Sequence, residues 1–179
     1  MKLVSISGSP SAHSRSHWLL ALAAERLGSR PTQAGVIAVR DLPPEALLSA
    51  DVHAPSIAAA VQQVLEADVV LVSTPIYKAA YSGLLKTFLD LLPQDALRDK
   101  RVLPLATGGS AGHLLALDYA LRPVLNALGA RQIADGVFAT DAQLARGAGS
   151  SFVAEPELLA RLDAAVAGLL ALTSQPQPG

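Results

Sequence analysis

Short β-branched runs alternate along this chain with longer stretches in which apolar residues recur every three or four positions. The runs at 2–7, 35–39, 68–74, 101–107 and 131–138 predict five strands. The stretches at 14–28, 56–66, 82–92, 112–128 and 155–172 predict five helices. Two of the runs, ADVVLVST and RVLPLAT, are almost continuously apolar. Strands of a parallel sheet have this character when helices cover both faces, because neither side alternates with water. The expected fold is therefore α/β, a doubly wound five-stranded parallel sheet within a three-layer α/β/α sandwich.

Three segments fall outside that rhythm. Residues 40–55 contain Pro43, Pro44 and Pro55 and form a long connection, with a short helix expected at 45–49. Residues 140–151 cluster small side chains around Arg146 and Gly147 and read as a mobile loop, and 174–179 read as a flexible tail. No internal repeat or linker divides the remainder, so 1–173 is expected to be one domain.

Composition narrows the function classes. The 179 residues are 51% hydrophobic and 16% charged, enough for a sizeable core, and the formal net charge is −1. Neither nucleic acid nor an anionic membrane is favoured by so neutral a chain. Cysteine is absent, which removes disulfides, thiolate nucleophiles and cysteine-ligated metals. No apolar stretch reaches the length of a signal peptide or membrane helix, so a cytoplasmic location is expected. His13, His17, His53 and His113 form no HExxH or cysteine-assisted pattern, and no metal is expected. Asp68 and Asp90 read as a strand-start turn and an exposed helix position, not as paired catalytic carboxylates.

In a doubly wound sheet, ligands bind beyond the carboxyl ends of the strands, where strand order reverses. The loop GSPSAHSRS at 8–16 leads from a strand into a helix and gathers Ser9, Ser14, Arg15 and Ser16. Its hydroxyls, helix-terminal amides and guanidinium suit a phosphate. It matches neither GxxxxGK[ST] nor GxGxxG, and the plainer reading is a serine-rich turn with Ser14 as a helix cap. A second loop carries Thr74, Pro75, Ile76, Tyr77 and Lys78, with Tyr77 and Tyr81 as flat amphipathic surfaces for a heteroaromatic ring. Lys78 and Lys86 read more simply as solvated surface lysines. In the third loop, Gly108, Gly109, Ser110 and Gly112 permit close approach of a ligand to backbone amides, although a simple turn also accepts them.

Three stretches, GSPSAHSRS, TPIYKAAYSGLLKTFLDLLP and LPLATGGSAGHLLALDYALRPVLNALGA, resemble the NADPH-dependent FMN reductase family on the flavodoxin-like fold. The resemblance is to its branch that supplies alkanesulfonate monooxygenases, and it runs from Met1 to about Thr140. It implies that Ser9, Ser14, Arg15 and Ser16 hold the flavin phosphate, that Pro75, Ile76, Tyr77 and Lys78 line the isoalloxazine, and that Gly108, Gly109 and Ser110 complete the site. It implies FMN with NADPH or NADH, and a separate flavin-dependent monooxygenase as partner. No protein nucleophile is needed, because hydride passes between two organic partners. A flavin-retaining quinone or azo reductase and a flavodoxin-like electron carrier are the competing expectations.

One helix carries a further signal. Pro123 clashes with the carbonyl of Tyr119 in a regular α-helix, so 112–128 should kink or contain a π-bulge there. Leu114, Leu115, Leu117, Leu121, Val124, Leu125 and Leu128 cover more of its circumference than one sheet-facing stripe requires. A homo-oligomer, dimer or tetramer, is the expectation, with Tyr119 at the interface and involved in flavin handling.

Overall fold

The computed structural model describes residues 1–28, 32–149 and 151–172. The expected flexible tail at 174–179 lies outside the described residues. The strands are β1 (Lys2–Ser7), β2 (Thr32–Ala38), β3 (Val69–Tyr77), β4 (Ala80–Tyr81), β5 (Arg101–Gly108), β6 (Gln132–Ile133), β7 (Val137–Thr140), β8 (Leu144–Arg146) and β9 (Phe152–Ala154). The α-helices are α1 (Arg15–Leu27), α2 (Pro44–Leu48), α3 (Pro55–Glu66), α4 (Gly83–Leu89), α5 (Arg122–Ala127) and α6 (Pro156–Ala171).

The main sheet runs β2-β1-β3-β5-β6, with β7 continuing beside β5 and the two-residue β4 folded back on β3. All pairings are parallel except β3 with β4. Chain order reverses between β1 and β3, whose carboxyl ends therefore flank a crevice. Leu3, Val69, Leu71, Leu103 and Leu105 bury one sheet face against α1 and α6. On the opposite face, Val4, Ile6, Val70 and Val72 pack against α3, α4 and α5. These two cores make the three layers that the continuously apolar strands predict.

Local chemistry sets the helix starts. Ser14 caps α1 by accepting the His17 amide at 3.1 Å, and Ser82 caps α4 by accepting the Leu85 amide at 3.1 Å. The connection at 40–55 holds the expected short helix as α2, beginning at Pro44, whose lost amide costs nothing at a first turn.

Four expectations are corrected. The fifth strand is split into β6 and β7 by residues 134–136. The Val102 carbonyl accepts the Ala134 amide, so Val102 and its same-parity neighbour Pro104 present their backbones to this edge, and proline has no N–H to donate. The third strand runs on through Pro75 to Tyr77 and turns tightly through Lys78 (φ 50°) and Ala79 (φ 64°) into β4. The segment 140–151 is not a free loop, since it supplies β8 and the turn into the antiparallel strand β9. Residues 112–128 are not one helix: a single tight turn at Ala111–His113 precedes a π-helical turn at Leu117–Leu121, which passes into α5. The π turn is the expected answer to Pro123, because widening the coil spares the clash.

Candidate active site

A cavity of about 290 Å3 opens at the carboxyl ends of β1, β3 and β5. Its walls include Ser9, Ser14, Arg15 and Ser16 from the first loop, Pro75, Ile76 and Tyr77 from the second, and Gly108 and Gly109 from the third. Three loops far apart in sequence thus meet at one place. Lys78 and Ser110 are not among the lining residues, and both are exposed on the turns that follow.

The first loop is held from below. The Gly8 amide donates to the Ser73 carbonyl at 2.8 Å, and the Ser73 hydroxyl donates to the Ser16 carbonyl at 2.7 Å. A Cβ on Gly8 would lie 2.6 Å from the Leu85 Cβ, so only glycine lets this loop press against α4. Ser9 is buried, and its oxygen accepts the Ser11 amide at 3.2 Å, which leaves the hydroxyl proton for a ligand. Ser14 and Ser16 hydroxyls lie 3.3 Å apart at the amino end of α1. Amides, hydroxyls and a helix dipole here all favour an anion.

His17, one residue further along α1, has its Nδ1 3.2 Å from the Ser7 hydroxyl. Burial foremost, then the nearby Arg40, holds its pKa below the ordinary value, while Asp41 acts in the opposite sense. The ring therefore favours its neutral form beneath the loop.

Arg15 is more engaged than its place in the loop suggests. Its Nε donates to the Leu144 carbonyl at 2.8 Å, and its Nη1 lies 3.4 Å from Asp141 Oδ1. Its guanidinium carbon is 5.6 Å from the Phe152 ring centre. The β8–β9 hairpin is thereby drawn to the cavity, where Asp141, Arg146 and Phe152 join the lining. Sequence reasoning missed these three, together with Ser11, His13 and Thr107. The runs that form the hairpin, LAR and SFVA about a glycine-containing connection, are too short to register as strands by periodicity.

The second and third loops are fixed by small residues. The Thr74 hydroxyl accepts the Ser82 amide at 2.9 Å, which anchors the turn beyond β3. Tyr77 is 53% exposed at the rim, leaving its ring available to a planar partner. A Cβ on Gly109 would meet nothing within 4 Å, so the backbone there is open, whereas one on Gly108 would press on His113 and Phe138 at 3.2 Å. Among the described residues no group of three His, Cys, Asp or Glu is placed to hold a metal ion. Among those residues, too, no helix is long and apolar enough to cross a membrane.

Comparisons with known proteins identify the family. The family model described as NADPH-dependent FMN reductase matches residues 1–145. An FMN reductase (NADPH) of Pseudomonas putida is 51% identical over 150 residues, covering 84% of this chain and 76% of its own length. The corresponding Escherichia coli protein is 49% identical over 144 residues, covering 80% and 75%. Among solved structures, an apo NADH:FMN oxidoreductase (EMOB) superposes with a TM-score of 0.86 at 44% identity, covering 98% of this chain and 91% of the other. The chain belongs to the NADPH-dependent FMN reductase family and is an NAD(P)H:FMN oxidoreductase.

Proposed function

We propose that this enzyme reduces FMN as a diffusible substrate and supplies it to a separate alkanesulfonate-type monooxygenase. The observation that carries the reading is the convergence of the three strand-end loops on one cavity with an anion-binding end and an open, flat rim. FMN fits the donor set. Ser9, Ser14, Ser16 and the first amides of α1 suit its phosphate, and Arg15 adds charge on the side facing the hairpin. Pro75, Ile76 and Tyr77 offer a surface for the ring, while the open backbone at Gly109 accepts close approach. Lys78 and Ser110 would reach the ring only from outside the cavity walls.

When bound, FMN supplies the acceptor position for hydride from NADPH or NADH. The chain's own contribution would be to bind and orient the ring through Tyr77 and the open backbone at Gly109. No side chain is required to exchange a proton with the reacting atoms.

Assembly belongs to the same reading. Leu114, Leu115 and Tyr119 stand exposed together on the turns before α5, and a second copy of this chain would cover them. A homo-oligomer, dimer or tetramer, would then place Tyr119 where assembly and flavin handling meet. A cytoplasmic site of action accords with use of reduced pyridine nucleotide.

The test is anaerobic turnover with NADPH and NADH, each against FMN, FAD and riboflavin, at enzyme far below flavin. Many equivalents of reduced FMN should pass an ultrafilter and support a separately purified alkanesulfonate monooxygenase. Flavin that stays with the enzyme while quinones or azo dyes are reduced would replace this reading with that of a flavin-retaining reductase.

A further inference from the structure

We propose that Arg146, on β8, is a specificity-determining residue that closes on the flavin's terminal phosphate opposite Arg15. It would make the site distinguish FMN from riboflavin. The proposal rests on the placement of that phosphate at residues 9–16 given above.

Arg146 lines the same cavity as Ser9, Ser14 and Ser16, and its guanidinium carbon lies 5.9 Å from the Phe152 ring centre. Arg15 stands 5.6 Å from the same centre. Two cations are thus collected around one aromatic ring at the anion-binding end of the cavity. Asp141, 3.4 Å from Arg15, opposes them, and among the described residues no carboxylate lies within ion-pair distance of Arg146. His13, also in the lining, adds no negative charge. Arg146 is exposed to solvent on the wall of the cavity that the serine hydroxyls also line, and a phosphate bound there would accept its two parallel N–H donors.

The mount is firm. Phe152 is 8% exposed and meets Trp18 edge-on at 6.3 Å, and Leu144 at the head of β8 is fully buried. The turn between the strands is closed by the Gly147 amide donating to the Ser151 carbonyl at 3.1 Å, with Gly149 at φ 65°. A Cβ on Gly147 would lie 2.8 Å from the Ser151 hydroxyl, which would have to turn aside. Arg146 is therefore delivered by a paired strand, so its backbone is already ordered before a ligand binds.

Dissociation constants for FMN and riboflavin, read from flavin fluorescence, decide the matter for the wild type, Arg146→Met, Arg146→Lys and Ser9→Ala. Arg146→Met should weaken FMN about tenfold or more while riboflavin changes by less than about twofold, the loss expected for one charge-assisted contact. Arg146→Lys should recover only part of the preference, because an ammonium cannot make the paired contact. Inorganic phosphate should compete with FMN less well in Arg146→Met than in the wild type. An unchanged FMN-to-riboflavin ratio in Arg146→Met, with a lowered ratio in Ser9→Ala, would overturn the role of Arg146 and leave the loop assignment standing. No change in either variant would overturn both. A raised NADPH KM in Arg146→Met, with FMN binding intact and the NADH KM unmoved, would assign Arg146 to the coenzyme and overturn the proposal.

Discussion

The Ser82 hydroxyl donates to the Gly8 carbonyl at 2.5 Å and in the same position accepts the Leu85 amide. One buried oxygen therefore caps α4 and ties the first loop to the second across 74 residues of sequence. Ser82→Ala should destabilise the fold by about 1–3 kcal/mol, since it removes a cap and leaves a buried carbonyl unpaired. FMN affinity should fall with it, as the two loops lose their common anchor. Urea unfolding and flavin titration check both parts, and a variant as stable as the wild type with unchanged FMN affinity would show the tie to be incidental.

Arg15 joins the first strand-end loop to the hairpin, so its removal should have two effects. Arg15→Ala should weaken FMN more than riboflavin, because only FMN carries the phosphate. It should also speed amide exchange at 144–154 in the absence of any flavin, since Leu144 and Asp141 lose their partner. Equal losses for the two flavins would remove Arg15 from the phosphate site, while unchanged exchange would mean that Phe152 packing alone holds the hairpin.

His17 gives the site a pH signature. Its folded pKa lies below the ordinary 6.5, so the unfolded chain takes up a proton more readily than the folded one as pH falls. The stability present above 6.5 is then lost on acidification from 6.5 down toward the folded value, and it levels off below that. His17→Gln should flatten this part of the stability profile between pH 7 and about pH 5. Superimposable wild-type and variant profiles from urea midpoints would contradict the assignment. Arg40, Asp41 and His13 share the surroundings, and the difference between the two proteins isolates the His17 contribution.

Tyr119 is 78% exposed on the π turn, so Tyr119→Ala should change the stability of a single chain by no more than about 0.5 kcal/mol. Sedimentation velocity should nevertheless register weaker association, since truncating an interfacial aromatic costs about 2 kcal/mol. NADPH-dependent FMN reduction on the same preparation should change as well. An unchanged oligomer with unchanged flavin kinetics would reduce Tyr119 to a surface residue of a π turn.

Much of the site was legible along the chain because each loop carries its chemistry in adjacent residues. Serines before a helix, a proline-tyrosine turn and a glycine run declare donors, a flat surface and open backbone without reference to anything distant. The π turn was legible for the same reason, since the clash of Pro123 reaches only one helical turn back. The hairpin was not. Its strands have three residues each, too short for periodicity to register against the small residues between them.

The sequence by itself determined the alternation of strands and helices, the serine-rich start of α1 and the break before α5. All of these follow from interactions within a few positions, where propensity, capping and proline sterics act directly. Tertiary structure alone decided that the fifth strand breaks beside Pro104, that Ser82 serves two loops, and that Arg15 reaches the Leu144 carbonyl across 129 positions. Such pairings depend on where the twisted sheet delivers each strand end, and that placement is a property of the whole packed core.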